Sequence, residues 1–443
     1  MSLTGQRTFV GLGFGPIETA YQLAAWSWRD KPADLMNQRM LHGWSDFTCR
    51  TPESIETEFA TSLAAGGKLF IGDLLQPVNV RPDPEIMRLL RTCFDFSAPL
   101  EALARGTQAV SDIAILSSPE TLRRRGAEWT TDENPLKGAY LALLEDGLTT
   151  DILFDADLEN HLGKYRAIVI PEQAFVGRGA AEAIRRFVDG GAGLVVTGCL
   201  PQVVDAGELS STADKGVFQE ITGLAAEGEH AFDMAYLELR GTGAEDFWRD
   251  NDSFRPPIPV WGRPARIRAL KARMLAPLTA PGVTYQEGAR PPGVKLDSPA
   301  LTAYRYGKGN VLFSALGLAA EVWKRGNPGA KYVLQKMVRR VALSLTVERI
   351  GPPSVQIYYS KDDKRTVIHL IAYQPDRRVH PPQIVESPAS AQGVQIKLCD
   401  ARLPRIVRIE PGGMHIDYLR DGQWLLVKVP AFSIHTAVVF DWG

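Results

Sequence analysis

The chain has 443 residues, which is long for a single domain, so we expect two to four domains. Its hydrophobic fraction of 45% and charged fraction of 23% are typical of a globular protein. The 50 basic and 51 acidic residues leave a net charge of -1. Charge therefore gives no reason to expect a nucleic acid or an anionic membrane as partner.

The four cysteines are scattered along the chain, and they form neither a C-x-x-C pair nor a Cys/His cluster with zinc spacing. They are Cys49, Cys93, Cys199 and Cys399. This pattern favours a reducing compartment, and we expect a cytoplasmic protein with no metal and no cofactor. The N-terminus lacks a signal-peptide pattern, and no apolar run of about 18 residues predicts a membrane span.

Strand-like and helix-like segments alternate through the first hundred residues, which indicates parallel β/α architecture. Thr51 suits a helix N-cap and Pro52 the first helical position, and Gly66-Gly67 suit the end of that helix. The predicted strands are 8–14, a possible one within 39–48, and 68–73, and the predicted helices are 52–65 and 83–104. Residues 16–28 follow the first strand without a strong break.

A second alternating set follows and predicts a doubly wound sheet with four strands in order. Its strands are 113–118, 151–154, 165–172 and 193–198, and its helices are 134–147 and 180–191. Residues 225–300 have poor periodicity and many Gly, Pro and charged residues, so we interpret them as an irregular insertion. A hairpin at 301–316 and a helix at about 328–345 come next. About seven short alternating runs then predict a β-sandwich.

Two motifs invite functional interpretations that their context does not favour. Gly11, Gly13 and Gly15 follow a strand, but the spacing is not G-x-G-x-x-G, and the next residue is a proline that lacks an amide donor. Cys199 ends a strand, where an amidotransferase nucleophile would lie, but Pro201 follows and no helix begins directly. We therefore expect a structural glycine run and a small buried cysteine. His369, which alternates within a sandwich strand, is also expected to be structural.

Carboxylates beside aromatic residues suit carbohydrate recognition, because rings stack on sugar C–H faces while carboxylates bind hydroxyls or transfer protons. Glu18 is followed by Trp26 and Trp28 in one segment. Asp73 ends a predicted strand, and barrel sites lie at the carboxyl ends of strands. A segment between them adds His42, Trp44 and Asp46. Each of these residues alone also fits a rim position that only caps a helix.

Several segments resemble glycoside hydrolases. IETAYQLAAWSWRDKPADL resembles the Trp-Glu-Thr segment of family-29 α-L-fucosidase-like barrels, and LAAGGKLFIGDLLQPVNVRPDPEIMRLL resembles their closing strand and helix. YRAIVIPEQAFVGRGAAEAIRRFVDGGAGLVVTGCLP resembles the amidotransferase-like trimerisation domain of family-42 β-galactosidases. SPALTAYRYGKGNVLF, RTVIHLIAY and WLLVKVPAFSIHTAVVF resemble the tail of a larger fucosidase-related group.

The resemblance implies an α/β plus all-β protein with three domains. These are the C-terminal part of a TIM-type barrel over 1–108, an amidotransferase-like trimerisation domain over 109–348 with its irregular insertion at about 225–300, and a β-sandwich over 349–443. It also implies a retaining mechanism in complete relatives, with one nucleophilic and one proton-donating carboxylate.

Departures from the family pattern limit what carries over. Ile17 replaces the family's Trp, Ser27-Trp28 replaces its Gly-Tyr, and the nucleophile of such fucosidases lies on an earlier strand without a counterpart here. Only Glu18 carries over, as the catalytic candidate, while Trp26, Trp28, Trp44, Asp46 and Asp73 are expected substrate contacts. A partial barrel also exposes strand edges that another element must cover.

Three hypotheses follow. The first is a glycoside-hydrolase-related protein that acts on or binds carbohydrate and is not independently catalytic. The second is a non-catalytic carbohydrate-binding or oligomerisation protein, and for either we expect a homo-oligomer, dimer or trimer. The third and least favoured is an active glutamine amidotransferase that uses Cys199.

Overall fold

The computed structural model describes residues 8–12, 15–26, 28–29, 33–41, 47–76, 78–125, 134–205, 207, 214, 216–248, 255–285, 288–374 and 384–443. The chain divides into two compact units. Unit 1 comprises Met1–Ser111, Leu144–Asp151 and Thr346–Gly443, and unit 2 comprises Asp112–Leu143 and Ile152–Leu345.

Unit 1 begins with three βα repeats. They are β1 (Thr8–Leu12), α1 (Pro16–Ala24), β2 (Ala33–Gln38), α2 (Pro52–Ala64), β3 (Gly67–Gly72) and α3 (Pro84–Ala104). The strands form a parallel sheet in the order β1-β2-β3, which confirms the partial (β/α) barrel. The described strand β2 ends at Gln38, upstream of the possible strand within 39–48, of which residues 42–46 lie outside the described residues. Helix α1 ends at Ala24, so Trp26 and Trp28 lie beyond it.

Polar caps start the two longer helices where the sequence predicts. The Thr51 hydroxyl accepts a hydrogen bond from the Ser54 amide at 3.3 Å, and Pro52 occupies the first turn of α2. The Asp83 carboxylate accepts hydrogen bonds from the amides of Glu85 and Ile86 in the first turn of α3. These bonds satisfy amides that the helix itself leaves without acceptors.

The two faces of the β1-β2-β3 sheet differ. On one face, Leu69 and Ile71 of β3 pack against a buried cluster from α2 and α3 that includes Phe59 and Cys93. The neighbouring residue Phe70 alternates onto the opposite face and is 49% exposed. Phe70 is thus a large apolar side chain on the edge strand that the described residues leave half-exposed.

Unit 2 contains a doubly wound sheet. Its first part is built from β5 (Ile113–Ser117), α4 (Pro119–Arg125), α5 (Asn134–Glu145), β6 (Thr150–Phe154), α6 (Leu158–His161), β7 (Ala167–Pro171), β8 (Phe175–Gly177), α7 (Arg178–Asp189), β9 (Gly193–Thr197), β10 (Gln202–Val204) and α8 (Gly216–Thr222); β4 (Gln108–Ala109) precedes it in unit 1. The sheet order runs β6-β5-β7-β9. All four predicted strands are present, and the order reverses between β5 and β7, which is the switch point of such folds.

The expected irregular insertion at about 225–300 is instead a set of strands. They are β11 (Leu224–Glu229), β12 (Met234–Leu237), β13 (Ile258–Trp261), β14 (Ala265–Ala269), β15 (Arg273–Pro281) and β16 (Pro292–Tyr306). The predicted hairpin joins β16 to β17 (Gly309–Ser314), and β17 pairs with β9 in parallel, so one nine-stranded sheet spans the unit. Two helices, α9 (Leu318–Arg325) and α10 (Pro328–Val341), complete it.

The remainder of unit 1 is the predicted β-sandwich. Its strands are β18 (Val347–Ile350), β19 (Val355–Lys361), β20 (Arg365–Ala372), β21 (Val394–Cys399), β22 (Ile406–Glu410), β23 (Met414–His415), β24 (Leu419–Asp421), β25 (Trp424–Val429) and β26 (His435–Asp441). A four-stranded sheet, β18-β21-β25-β24, and a six-stranded sheet, β23-β22-β26-β20-β19-β4, enclose one apolar core. Leu103 of α3 packs against Val367, Ala437 and Val439 on the other face of the larger sheet.

Candidate carbohydrate site at the barrel rim

The carboxyl ends of β2 and β3 bring two charged side chains together. Arg39 follows β2 and donates from Nε to Oδ1 of Asp73, which follows β3. Arg39 Nη1 also donates to the carbonyls of Phe47 and Thr48, at 3.2 and 2.8 Å. The Arg39 side chain is 2% exposed and that of Asp73 is 18% exposed. A buried, fixed cation therefore holds a carboxylate that still reaches the surface.

Glu58 of α2 connects this edge of the sheet to the first repeat. Its Oε1 accepts a hydrogen bond from Asn37 Nδ2 at 2.6 Å, and its Oε2 accepts from Arg50 Nη1 at 2.5 Å and from the Gly15 amide at 3.1 Å. Because Gly15 precedes α1 and Asn37 belongs to β2, one buried carboxylate joins two repeats. The Gly15 amide thus binds a side chain, which supports the structural interpretation of the glycine run.

We call this set the rim network: Gly15, Asn37, Arg39, Arg50, Glu58 and Asp73. Of its members, only Asp73 was a functional candidate on sequence grounds. Arg39 was not a candidate because it stood at the start of the possible strand within 39–48, whereas barrel sites lie at the carboxyl ends of strands. Glu58 was missed because a charged residue within a helix pattern is usually a solvated one.

Glu18 and two of the predicted tryptophans lie on and just beyond α1. Glu18 is half-buried in the first turn, where its Oε1 accepts a hydrogen bond from Gln22 Nε2 at 3.4 Å. The Arg29 guanidinium lies 4.9 Å from the ring centroid of Trp26 and 4.4 Å from that of Trp28. Trp28 is only 8% exposed. Both indole rings thus stack with a cation, and their roles as sugar contacts stay predictions.

The other predicted rim residues have different outcomes. Asp73 directly follows β3, at the predicted strand end, and belongs to the rim network. His42, Trp44 and Asp46 lie outside the described residues. Among the residues that are described, no group of three or more His, Cys, Asp and Glu side chains could hold a metal ion.

The doubly wound sheet carries a strained residue directly after β7. Glu172 has φ of 52°, a left-handed conformation that is costly for any residue with a side chain. Its carboxylate accepts hydrogen bonds from the Thr197 hydroxyl at 2.8 Å and from the amides of Ala319 and Ala320 at 3.2 and 3.0 Å. The Glu172 side chain therefore caps the first turn of α9. Cys199, expected to be buried, is half-buried in a turn after β9.

The switch point between β5 and β7 is bridged by its own side chains. The Ser118 amide donates to Gln173 Oε1 at 3.0 Å, and the Ser118 hydroxyl donates to Asp155 Oδ2 at 2.9 Å. The Gly177 amide also donates to Asp155 Oδ2, at 2.8 Å. Burial raises the pKa of Asp155 to about 6 against these bonds. Doubly wound proteins commonly bind ligands in the crevice at the switch point. Here, hydrogen bonds between the protein's own groups span that crevice.

Comparison with known proteins defines the class first. The α-L-fucosidase isoenzyme 2 from Paenibacillus thiaminolyticus superposes with a TM-score of 0.79 at 17% identity, over 96% of this chain and 63% of that chain. A β-galactosidase from Bacillus circulans sp. alkalophilus superposes with a TM-score of 0.65 at 16% identity, over 96% and 58%. The fold is therefore that of glycoside-hydrolase-related proteins, and the chain spans less than two thirds of either structure.

The family follows from the sequence of unit 2. Residues 123–344, half of the chain, match the family model described as the beta-galactosidase trimerisation domain, and the chain belongs to this family. The β-galactosidase BglY of Alicyclobacillus acidocaldarius subsp. acidocaldarius is 25% identical over 257 residues, which are 56% of this chain and 32% of that protein. Within the described part of the chain, no helix combines the length and apolarity that crossing a membrane requires.

Proposed function

We propose that this protein binds or acts on carbohydrate at the rim formed by β1, β2, β3 and their loops. The observation that carries the proposal is the Arg39–Asp73 pair at the carboxyl ends of two parallel strands. That edge is where (β/α) barrels hold their substrates. A carboxylate fixed by a buried guanidinium is a preorganised acceptor for sugar hydroxyls.

The finer part of the proposal is that the three repeats do not catalyse hydrolysis by themselves. Most glycoside hydrolases place two carboxylates on either side of the scissile bond. In the described rim, Asp73 is engaged by Arg39, and Glu18 lies on α1 rather than at a strand end. We propose that turnover needs a nucleophilic carboxylate from barrel strands additional to these three, with Glu18 as sugar contact or proton donor.

The experiment measures binding and hydrolysis separately. Isothermal titration calorimetry with D-galactose and L-fucose tests binding, and p-nitrophenol release from the β-D-galactoside and the α-L-fucoside tests turnover. We expect binding of at least one sugar, weakened about tenfold in Asp73→Asn because a charged acceptor is lost. The matched control is Asp95→Asn, which makes the same change at an exposed carboxylate on α3. Absence of binding to both sugars would contradict the proposal.

The family match supports a second candidate, in which the protein assembles into a homo-oligomer without catalysis. The trimerisation domain makes up half of the chain, and assembly does not depend on a catalytic pair. Light scattering coupled to size exclusion is expected to give two or three times the 48.7 kDa chain mass. A monomer at micromolar concentration would count against this candidate.

A further inference from the structure

The last residue of β2 carries a buried amide without hydrogen bonds. Gln38 is 2% exposed, and within the described structure neither its side-chain nitrogen nor its side-chain oxygen has a partner. Its neighbour Asn37 points to the opposite face, where Nδ2 donates to Glu58 and Oδ1 accepts from Ser62 at 3.4 Å. Adjacent buried amides thus differ completely in how they are satisfied.

The backbone of Gln38 is fixed although its side chain is not, because Arg50 Nη2 donates to the Gln38 carbonyl. A buried polar group without a partner costs folding free energy, so the unsatisfied Gln38 amide calls for a functional explanation.

We propose that Gln38 recognises a hydroxyl group of the carbohydrate ligand, an inference that rests on the proposed function. An amide and a hydroxyl are each both donor and acceptor, so they pair reciprocally through two hydrogen bonds. A phosphate or carboxylate ligand would supply acceptors alone and leave the Gln38 oxygen unsatisfied. The ligand class is therefore a neutral polyhydroxylated sugar.

The test removes both polar atoms while keeping the side-chain length. Gln38→Met is expected to have an unchanged or higher Tm, because an unsatisfied amide is replaced by an apolar group. Its affinity for the sugar that the wild type binds, D-galactose or L-fucose, is expected to fall about tenfold. Monodeoxy analogues of that sugar locate the contact. The wild type should discriminate against one of them, and Gln38→Met should lose that discrimination only.

Gln356→Met is the control. Gln356 is buried in the β-sandwich of the same unit and its Oε1 accepts from the Tyr358 hydroxyl, so its variant should lose stability and keep affinity. Failure of the wild type to bind either sugar would contradict the proposed function. Wild-type binding with equal affinity and equal discrimination in Gln38→Met would overturn only the inference about Gln38. If the Met variant does not fold, the shorter apolar variant Gln38→Leu carries the same comparison.

Discussion

Glu58 receives hydrogen bonds from a backbone amide, a side-chain amide and a guanidinium, and protein encloses it completely. The Arg50 side chain is also buried, and its other terminal nitrogen, Nη2, donates a hydrogen bond to the carbonyl of Gln38. Burying two charges is expensive, and their attraction offsets that cost only while both are present. Loss of one partner therefore leaves an uncompensated charge inside the rim.

Glu58→Ala is expected to lower the free energy of unfolding by about 3–5 kcal/mol, because it isolates the buried Arg50 guanidinium. Urea denaturation followed by circular dichroism measures the change. Asp95→Ala, which removes one partner of the exposed Arg91–Asp95 pair on α3, is the control and should cost less than about 1 kcal/mol. Equal effects of the two substitutions would refute the structural importance of the rim network.

Two buried histidines in the β-sandwich form a hydrogen-bonded pair. His369 Nδ1 and His435 Nε2 lie 3.0 Å apart on neighbouring strands β20 and β26, and both residues are buried. His369 is therefore structural, as its alternation within the strand suggested. Burial lowers the pKa of His369 to about 4, with a smaller contribution from Arg365, and burial also lowers the pKa of His435.

The pair makes stability depend on pH in a defined direction. The unfolded histidines titrate near pH 6.5, so between that pH and about 4 the unfolded chain binds more protons than the folded one. The stabilisation is complete above pH 6.5 and is lost as the pH falls toward 4, by about 3 kcal/mol for His369. The urea concentration at the midpoint of unfolding should decrease as the pH is lowered across this range. A His369→Leu/His435→Leu double variant should show a shallower fall, and an identical slope would show that other groups set the dependence.

The junction between β7, β9 and α9 shows how strain is compensated at the level of elements. Glu172 keeps its left-handed φ while its carboxylate caps α9. Gly198, with φ of 78°, passes so close that an added Cβ would lie 2.4 Å from Glu172 Cγ. Three elements thus share one junction, which requires a glycine both for its conformation and for its lack of a side chain.

Gly198→Ala is expected to destabilise unit 2 by more than about 2 kcal/mol, because it adds a steric clash to the penalty of a positive φ. Gly326→Ala is the matched control, since Gly326 also has a positive φ of 59° after α9 but open space around its Cβ position. That variant should cost about 1 kcal/mol. Thermal unfolding of both proteins gives the comparison, and equal losses would remove the steric argument.

At the scale of the whole molecule, unit 1 is assembled from segments that are distant in sequence. The hydroxyls of Thr51 and Ser54 at the start of α2 donate to the carbonyl of Val385, and β4 pairs with β19. Leu103 adds an apolar contact with the larger sandwich sheet. The sandwich therefore covers part of the helical layer, and the βα repeats depend on it.

Deleting residues 346–443 is expected to leave residues 1–111 unfolded, because α2 and α3 would lose these partners. Limited proteolysis should then cleave α2 and α3 rapidly while unit 2 resists. Residues 112–345 alone, which contain every strand of the nine-stranded sheet, form the control. Protection of the first hundred residues in the deletion variant would show that the repeats are stable without the sandwich.

Local rules in the sequence were sufficient for the helix cap at Thr51, the β/α alternation, the short sandwich strands and Asp73 at a strand end, because each depends on neighbouring residues alone. The strands within 225–300 escaped prediction, since long antiparallel pairings such as β15 with β16 tolerate proline and glycine once neighbouring strands hold them. Only the tertiary structure decided that Arg39 meets Asp73, that Glu58 joins two repeats, and that Gln38 is left unsatisfied. Those contacts join residues far apart in the chain, and no periodicity records which side chains will share a buried space.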